Sequence, residues 1–135
     1  MTDENRRRNL ERELARADEA LRAAEALLGL GLTSDSVSRA YYGAFHCLQA
    51  LLLSRGIETK TNTGAIHVFN VELIRTGKMS SAWNRLLAGA QRARELADYD
   101  SAVTFSADDA AAQLQDARAF EAAARKLLAD EGWLA

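Results

Sequence analysis

The stretch SRAYYGAFH, residues 38–46, decides how this chain is interpreted, because it places arginine, tyrosine and histidine in a segment with helical apolar spacing. Apolar residues recur at steps of three or four: Val37, Tyr41, Phe45, Leu48 and Leu52. Polar residues recur beside them at the same steps: Arg39, Tyr42, His46 and Gln49. The pattern predicts a helix that turns one face toward a core and offers the other to a ligand or partner.

Helical spacing continues on both sides of this stretch. The preceding helix ends near Gly29, and its apolar positions are Leu10, Leu14, Ala17, Leu21, Ala24 and Leu28. The helix that contains residues 38–46 should begin at a cap provided by Thr33, Ser34 or Asp35 and end near Ser54. Gly43 inside that helix costs about 1 kcal/mol relative to alanine, which indicates a close helix crossing there.

Further helices are predicted toward the C-terminus. A short helix should cover residues 64–75, and a longer helix should follow a cap at Ser80 or Ser81. The last helix should begin after Ser106, with Asp109 three residues later in a capping box. With no proline and only 7% aromatic residues, the composition favours helices over sheets. We therefore predict an all-α fold, a four- to five-helix antiparallel up-and-down bundle forming a single domain over residues 1–135.

The net charge of −2 conceals an uneven distribution. Residues 39–94 contain eight basic and two acidic side chains, whereas residues 95–135 contain nine acidic and three basic ones. The fold could present a basic face to phosphate, or the two segments could form solvated surfaces without a partner. Both interpretations remain open at this point.

Cysteine usage and hydropathy indicate a compartment. The single cysteine, Cys47, cannot pair within the chain and fits a reducing environment as a small core residue. No signal-peptide core and no membrane-spanning apolar run are visible, so we expect a soluble cytoplasmic protein. No phosphate-binding glycine loop and no paired Cys or His spacing is present, and we predict neither a cofactor nor a metal site.

Three segments together resemble the HEPN domain family, in its branch of small stand-alone bacterial and archaeal proteins. They are SRAYYGAFH at residues 38–46, LLLSRGIE at residues 51–58 and ADYD at residues 97–100. The resemblance covers roughly residues 10–130. It implies a helical bundle that forms a homodimer and is often encoded beside a minimal nucleotidyltransferase, as a toxin with its antitoxin.

Many members of the wider family are metal-independent ribonucleases with an arginine followed, four to six residues later, by a histidine at the dimer interface. Such a histidine can move the proton of an RNA 2′-hydroxyl while the arginine holds the phosphate. This chain departs from that pattern, because Arg92 and Arg94 are followed by Asp98 and Tyr99 and by no histidine. Arg39 and His46 have six residues between them but lie on the second predicted helix.

The resemblance and the polar stripe yield a set of candidate site residues. We predict Arg94, His46 and Tyr99 as catalytic residues, and the following as RNA or phosphate contacts: Arg39, Arg92, Asp98 and Tyr42. The first functional hypothesis is a toxin that binds RNA at a dimer cleft and cleaves it. The second is a non-catalytic module that docks a nucleotidyltransferase and accepts a nucleotidyl group on a tyrosine. The third is a scaffold bundle with neither activity.

Overall fold

The computed structural model describes residues 2–134, and within them it contains helices and no strand. The α-helices are α1 (Asp3–Gly29), α2 (Thr33–Ser54), α3 (Asn62–Phe69), α4 (Ser81–Tyr99) and α5 (Ala107–Asp130). A π-helical segment, Asn70–Ile74, follows α3 directly. The predicted all-α class is therefore confirmed.

Helix α2 lies at the centre of the bundle and contacts each of the other α-helices. Its most extensive neighbour is α1, followed by α5 and α4. Of the apolar stripe predicted for α2, Val37, Tyr41, Leu48 and Leu52 are buried, and Phe45 is half-buried against the core. The predicted antiparallel helical bundle is confirmed, with α2 as the element around which the others pack.

The crossing of α1 and α2 is closest at Gly43. A methyl group added to this glycine would lie 2.5 Å from Leu21 Cδ2 and 3.4 Å from the Ala17 carbonyl oxygen. Leu21 is fully buried, and because protein interiors are close-packed, moving it would disturb its neighbours. The close crossing expected from Gly43 is confirmed, and it joins two helices of the same chain.

Two of the three predicted caps are present. The Ser106 hydroxyl accepts from the Asp109 N–H at 3.0 Å and completes a capping box, and Ser80 caps α4. The cap predicted for α2 is wrong: the residue before the helix is Leu32, which makes no side-chain cap. Gly31, at φ 77°, ends α1 in a turn where the Leu32 N–H donates to the Leu27 carbonyl, and this turn leads straight into α2.

The third helix differs from the prediction at both ends. It begins at Asn62, two residues earlier than expected, because the Thr61 hydroxyl accepts from the Gly64 N–H at 2.9 Å. Its continuation widens into the π-helical segment, which the sequence did not reveal. Phe69, just before the π-helical segment, and Leu73, within it, are both fully buried. Apolar spacing alone does not distinguish such a turn from an α-helical one.

No helix within residues 2–134 combines the length and the apolar character that crossing a bilayer would require.

Candidate functional site

The polar stripe of α2 runs along its surface next to α1, as the spacing predicted. Arg39 is exposed, whereas Tyr42, His46 and Gln49 are half-buried. The Arg39 guanidinium carbon lies 4.6 Å from the centroid of the Tyr42 ring, which is a cation–π contact. The stripe therefore places a cation, a phenol and an imidazole along one edge of the bundle.

His46 is held by a carboxylate from α1. Its Nδ1 lies 2.7 Å from Glu13 Oε2, and the two side chains are 24% and 28% exposed. Because a carboxylate only accepts, the imidazole donates its Nδ1 proton, and Nε2 of the neutral ring remains free to accept a proton. The pair fixes the tautomer and orientation that a general base requires.

Two adjoining cavities, which together we call the α1–α2 groove, lie beside this pair. They share Arg16 and His46, and their volumes are about 630 Å³ and 290 Å³. The larger is lined by Asn9, Arg12, Glu13, Arg16, Phe45, His46, Gln49, Leu53, Glu58, Thr59, Lys60 and Asn62. The smaller brings Arg39 and Tyr42 to the same depression as His46, although seven positions of helix separate Arg39 from the histidine.

A second group of side chains, the Arg94 cluster, lies at the C-terminal end of α4. It consists of Tyr41, Arg94, Asp98 and Tyr99. The Arg94 guanidinium carbon lies 5.1 Å from the centroid of the Tyr41 ring and 5.8 Å from that of Tyr99, and Arg94 Nη1 lies 3.6 Å from Asp98 Oδ2. The arginine side chain is only 12% exposed, whereas Tyr99 is 77% exposed. The cluster thus holds a guanidinium between a buried ring and an exposed one.

Protonation within the cluster follows from its burial. Burial raises the pKa of Tyr41 to about 12, and the neighbouring Arg94 lowers it by less. Burial lowers the pKa of Arg94, but the Tyr42 and Tyr41 phenols together with Tyr99 raise it by more. At neutral pH the phenol is therefore uncharged and the guanidinium is charged, and they meet as a cation and a π face.

Two polar atoms of the cluster lack a hydrogen-bond partner among the described residues. They are the buried Tyr41 hydroxyl and the Arg94 Nε. Buried donors without acceptors are uncommon in folded proteins, because each costs about 1–3 kcal/mol. These two atoms lie beneath the surface, so they lower stability locally and offer no direct contact to a ligand.

The predicted site residues fall into two connected regions. His46 lies in the α1–α2 groove, and a separate cavity at the end of α4 is lined by Arg92, Arg94, Glu95, Leu96, Tyr99 and Asp100. Arg39, Tyr42 and Asp98 border a shallow depression between the two regions. Within one chain, therefore, His46 and Arg94 line different cavities.

Several residues at these sites escaped the sequence reasoning. The apolar spacing of α2 predicts that Tyr41 lies in the core, and it does, but its contact with Arg94 spans two helices. Glu13 was missed because it lies 33 residues from His46 on another helix. Spacing within one helix reveals neither contact.

Other reactive side chains do not form a site. Burial raises the pKa of the Cys47 thiol to about 12; Glu121 raises it further and Arg125 lowers it, each by less. The thiol is buried, so this residue is the core cysteine that the sequence predicted. His67 lies exposed on α3. Across residues 2–134, His, Cys, Asp and Glu nowhere form a group of three that could hold a metal ion.

Comparison with known proteins agrees with the architecture. Three relatives illustrate the range of matches. "Putative toxin MJ0142" of Methanocaldococcus jannaschii is 32% identical over 104 residues, which cover 77% of this chain and 71% of the relative. "UPF0332 protein" of Thermotoga maritima is 30% identical over 115 residues, covering 85% of this chain and 87% of the relative. "UPF0332 protein glr0978" of Gloeobacter violaceus is 38% identical over 87 residues, covering 64% and 69%.

The family profile described as "HEPN domain" matches residues 10–127, which include α2, α4 and most of α1 and α5. The candidate site residues His46, Arg94 and Tyr99 lie inside the matched range. The chain belongs to the HEPN domain family.

Proposed function

We propose that this HEPN protein is the toxin component of a toxin–antitoxin pair and that it acts by binding and cleaving RNA. The observation that carries the proposal is the Arg94 cluster, in which a nearly buried guanidinium lies between two phenol rings. The relative named as a toxin supports the coarser part of the proposal, toxin-like membership of the family. The cluster's chemistry supports RNA as the target.

The Arg94 cluster contains groups that can bind the phosphates and the bases of a single RNA strand. A guanidinium forms paired hydrogen bonds with phosphate oxygens, and Arg92 adds a second positive charge at the same cavity. The exposed ring of Tyr99 can stack on a base, an interaction worth about 1–3 kcal/mol per base. Asp98 orients Arg94 from one turn further along α4. Aromatic rings interleaved with cations are typical of single-strand binding surfaces.

The cleavage step requires a base, and His46 is the side chain that fits. Its Nε2 would accept the proton of the RNA 2′-hydroxyl while Glu13 holds Nδ1. The 2′-oxygen then forms a bond to phosphorus and the bond to the 5′-oxygen breaks. The departing oxygen takes up a proton from water, and the proton held by His46 neutralises the resulting hydroxide. Arg39 lines the smaller cavity together with His46 and would oppose the charge that develops on the phosphate. Tyr99 would donate a hydrogen bond to phosphate.

A second copy of the chain completes this proposal. Because His46 and Arg94 line different cavities of one chain, a homodimer could bring the histidine of one protomer to the arginine of the other. Leu96 beside the cluster and Tyr99 within it are 43% and 77% exposed, and apolar and aromatic exposure of this kind is typical of subunit contacts. The dimer cleft would lie at the end of α4.

One observation favours a second candidate function. The exposed Tyr99 hydroxyl lies next to a cation, and residues 92–99 contain no histidine. In a non-catalytic module, a nucleotidyltransferase partner would transfer a nucleotidyl group from a nucleoside triphosphate to this hydroxyl. The phenol would lose its proton, an oxygen–phosphorus bond would form, and pyrophosphate would leave. Arg94 would then neutralise the attached phosphate.

Incubation of single-stranded RNA with the protein in excess chelator distinguishes the ribonuclease from the non-catalytic module. We expect wild type to cleave, and His46→Ala and Arg94→Ala to lose at least tenfold in rate. Arg85→Ala, an exposed cation on another part of α4, serves as the matched control and should cleave normally. If wild type does not cleave but Tyr99 gains a nucleotidyl group from the partner enzyme, the second candidate replaces the first.

A further inference from the structure

Helix α1 carries a row of like charges that its own stability does not explain. Arg8, Arg12 and Arg16 follow one another at intervals of four residues, which places them on one face of the helix. Like charges at this spacing destabilise a helix by about 0.2–0.5 kcal/mol per pair. A compensating partner for this row is therefore expected.

Among the described residues, Arg8 is the one member of this row that has such a partner. Arg8 lies 3.5 Å from Glu4, and elsewhere on α1 Arg22 pairs with Asp18 at 3.1 Å. Arg12 and Arg16 form no ion pair or hydrogen bond within residues 2–134, and both line the larger cavity of the α1–α2 groove. Lys60, likewise without an ion pair among the described residues, lines the same cavity from the loop that follows α2.

The acidic residues of this cavity do not compensate these charges. Glu13 is bound to His46 at 2.7 Å, which leaves Glu58 as the acidic lining residue without a cation bound to it among the described residues. The lining thus contains three cations against two carboxylates, one of which is engaged by the imidazole. Gln49 and Asn62 add amide groups that can donate to phosphate oxygens. The smaller cavity adds Arg39 and Glu19, so the whole groove has four cations against three carboxylates, one of them bound to His46, and it is suited to an extended anion.

We propose that the α1–α2 groove is a second phosphate-binding region, in which Arg12 and Arg16 each neutralise one phosphate of an RNA strand. The strand continues from the Arg94 cluster past Arg39 and Tyr42, so the inference rests on the RNA binding proposed above. Four residues of helix advance about 6 Å along its axis, a separation that suits neighbouring phosphates of an extended single strand. Lys60 meets the strand from the opposite wall.

The salt dependence of RNA binding measures this directly. For a single strand, the slope of log K against log salt concentration is about −0.7 for each phosphate neutralised. The double variant Arg12→Gln/Arg16→Gln should therefore reduce the steepness of the slope by about 1.4 for a twelve-nucleotide strand. The control is Arg75→Gln/Arg85→Gln, which removes two exposed cations that line neither region. It should change the slope by less than half as much.

A second experiment distinguishes RNA binding in the α1–α2 groove from RNA binding at the Arg94 cluster. A strand of three nucleotides, too short to reach both regions, should bind the Arg94 cluster of wild type and of the groove variant with affinities within twofold. If the twelve-nucleotide strand binds wild type and the groove variant with the same slope, the groove proposal is overturned and RNA binding at the Arg94 cluster stands. If wild type binds neither strand, both proposals are overturned.

Discussion

The guanidinium of Arg94 lies 5.1 Å above the ring of Tyr41, so a charged side chain of α4 rests on a buried phenol of α2. The contact has two consequences. It keeps a cation in place at the edge of the bundle, and the ring beneath that cation carries a buried hydroxyl that has no hydrogen-bond partner among residues 2–134. The stability of the bundle and the proposed RNA binding therefore both depend on this pair of residues.

Replacing Arg94 by lysine separates charge from shape. Arg94→Lys keeps the positive charge but loses the planar group that lies against the Tyr41 and Tyr99 rings and that pairs with phosphate oxygens. We expect RNA affinity, measured by fluorescence anisotropy, to fall at least fivefold. The control Arg85→Lys, at an exposed position of the same helix, should bind like wild type. Equal affinities for Arg94→Lys and wild type would mean that charge alone matters.

Removal of the Tyr41 hydroxyl should leave the bundle at least as stable as it is. Tyr41→Phe retains the ring beneath Arg94 and removes a buried group that lacks a partner, which costs about 1–3 kcal/mol when unsatisfied. Tyr41→Ala should cost about 3–5 kcal/mol, as for other large aromatic truncations. Urea denaturation measures both free energies of unfolding. A loss of more than about 1 kcal/mol in Tyr41→Phe would contradict the unpartnered hydroxyl.

Alanine at two glycines should have opposite effects on the free energy of unfolding. At Gly43 the new methyl group would lie 2.5 Å from Leu21, and the resulting overpacking should destabilise the protein by about 1–3 kcal/mol. At Gly89, also inside a helix, the nearest atom is 4.0 Å away, and the change should stabilise by up to about 1 kcal/mol. A stable Gly43→Ala protein would show that α1 can move away from α2.

Alkaline pH should destabilise the bundle. Burial raises the pKa of Cys47 from 9.0 to about 12 and that of Tyr41 from 10.0 to about 12. The unfolded chain then loses these protons first as the pH rises, so stability present below pH 9 is lost progressively between pH 9 and 12. In urea titrations across this range, Cys47→Ala should start less stable and decline less steeply. Parallel curves for the two proteins would contradict the assigned cause.

Much of the fold could be predicted from the sequence because the signals of a single helix lie within a short stretch of residues. The apolar spacing of α1, the capping box at Ser106 and the glycine at the α1–α2 crossing all act within a few residues or through one missing side chain. The prediction of a side-chain cap for α2 was wrong because the turn that ends α1 leads straight into α2 and leaves no room for a separate capping residue. The π-helical segment could not be predicted because its apolar spacing is equally compatible with an α-helix.

Only some residues of the candidate site could be predicted from the sequence. Arg94, Tyr99 and the polar stripe of α2 can be recognised in sequence, since each lies within one helix. The residues that position them are on other helices: Tyr41 supports Arg94 from α2, and Glu13 holds His46 from α1. Such contacts depend on how helices pack, and packing is not encoded in the spacing of any one of them.

Photo-cross-linking of a thiouridine-containing single-stranded RNA, followed by mass spectrometry of the peptides, tests the central claim most directly. RNA bound at the Arg94 cluster should cross-link within residues 92–100, at Tyr99 in particular, and Arg94→Ala should remove most of that signal. Cross-links confined to residues 75–85, or a residue 92–100 signal unaffected by Arg94→Ala, would contradict the claim.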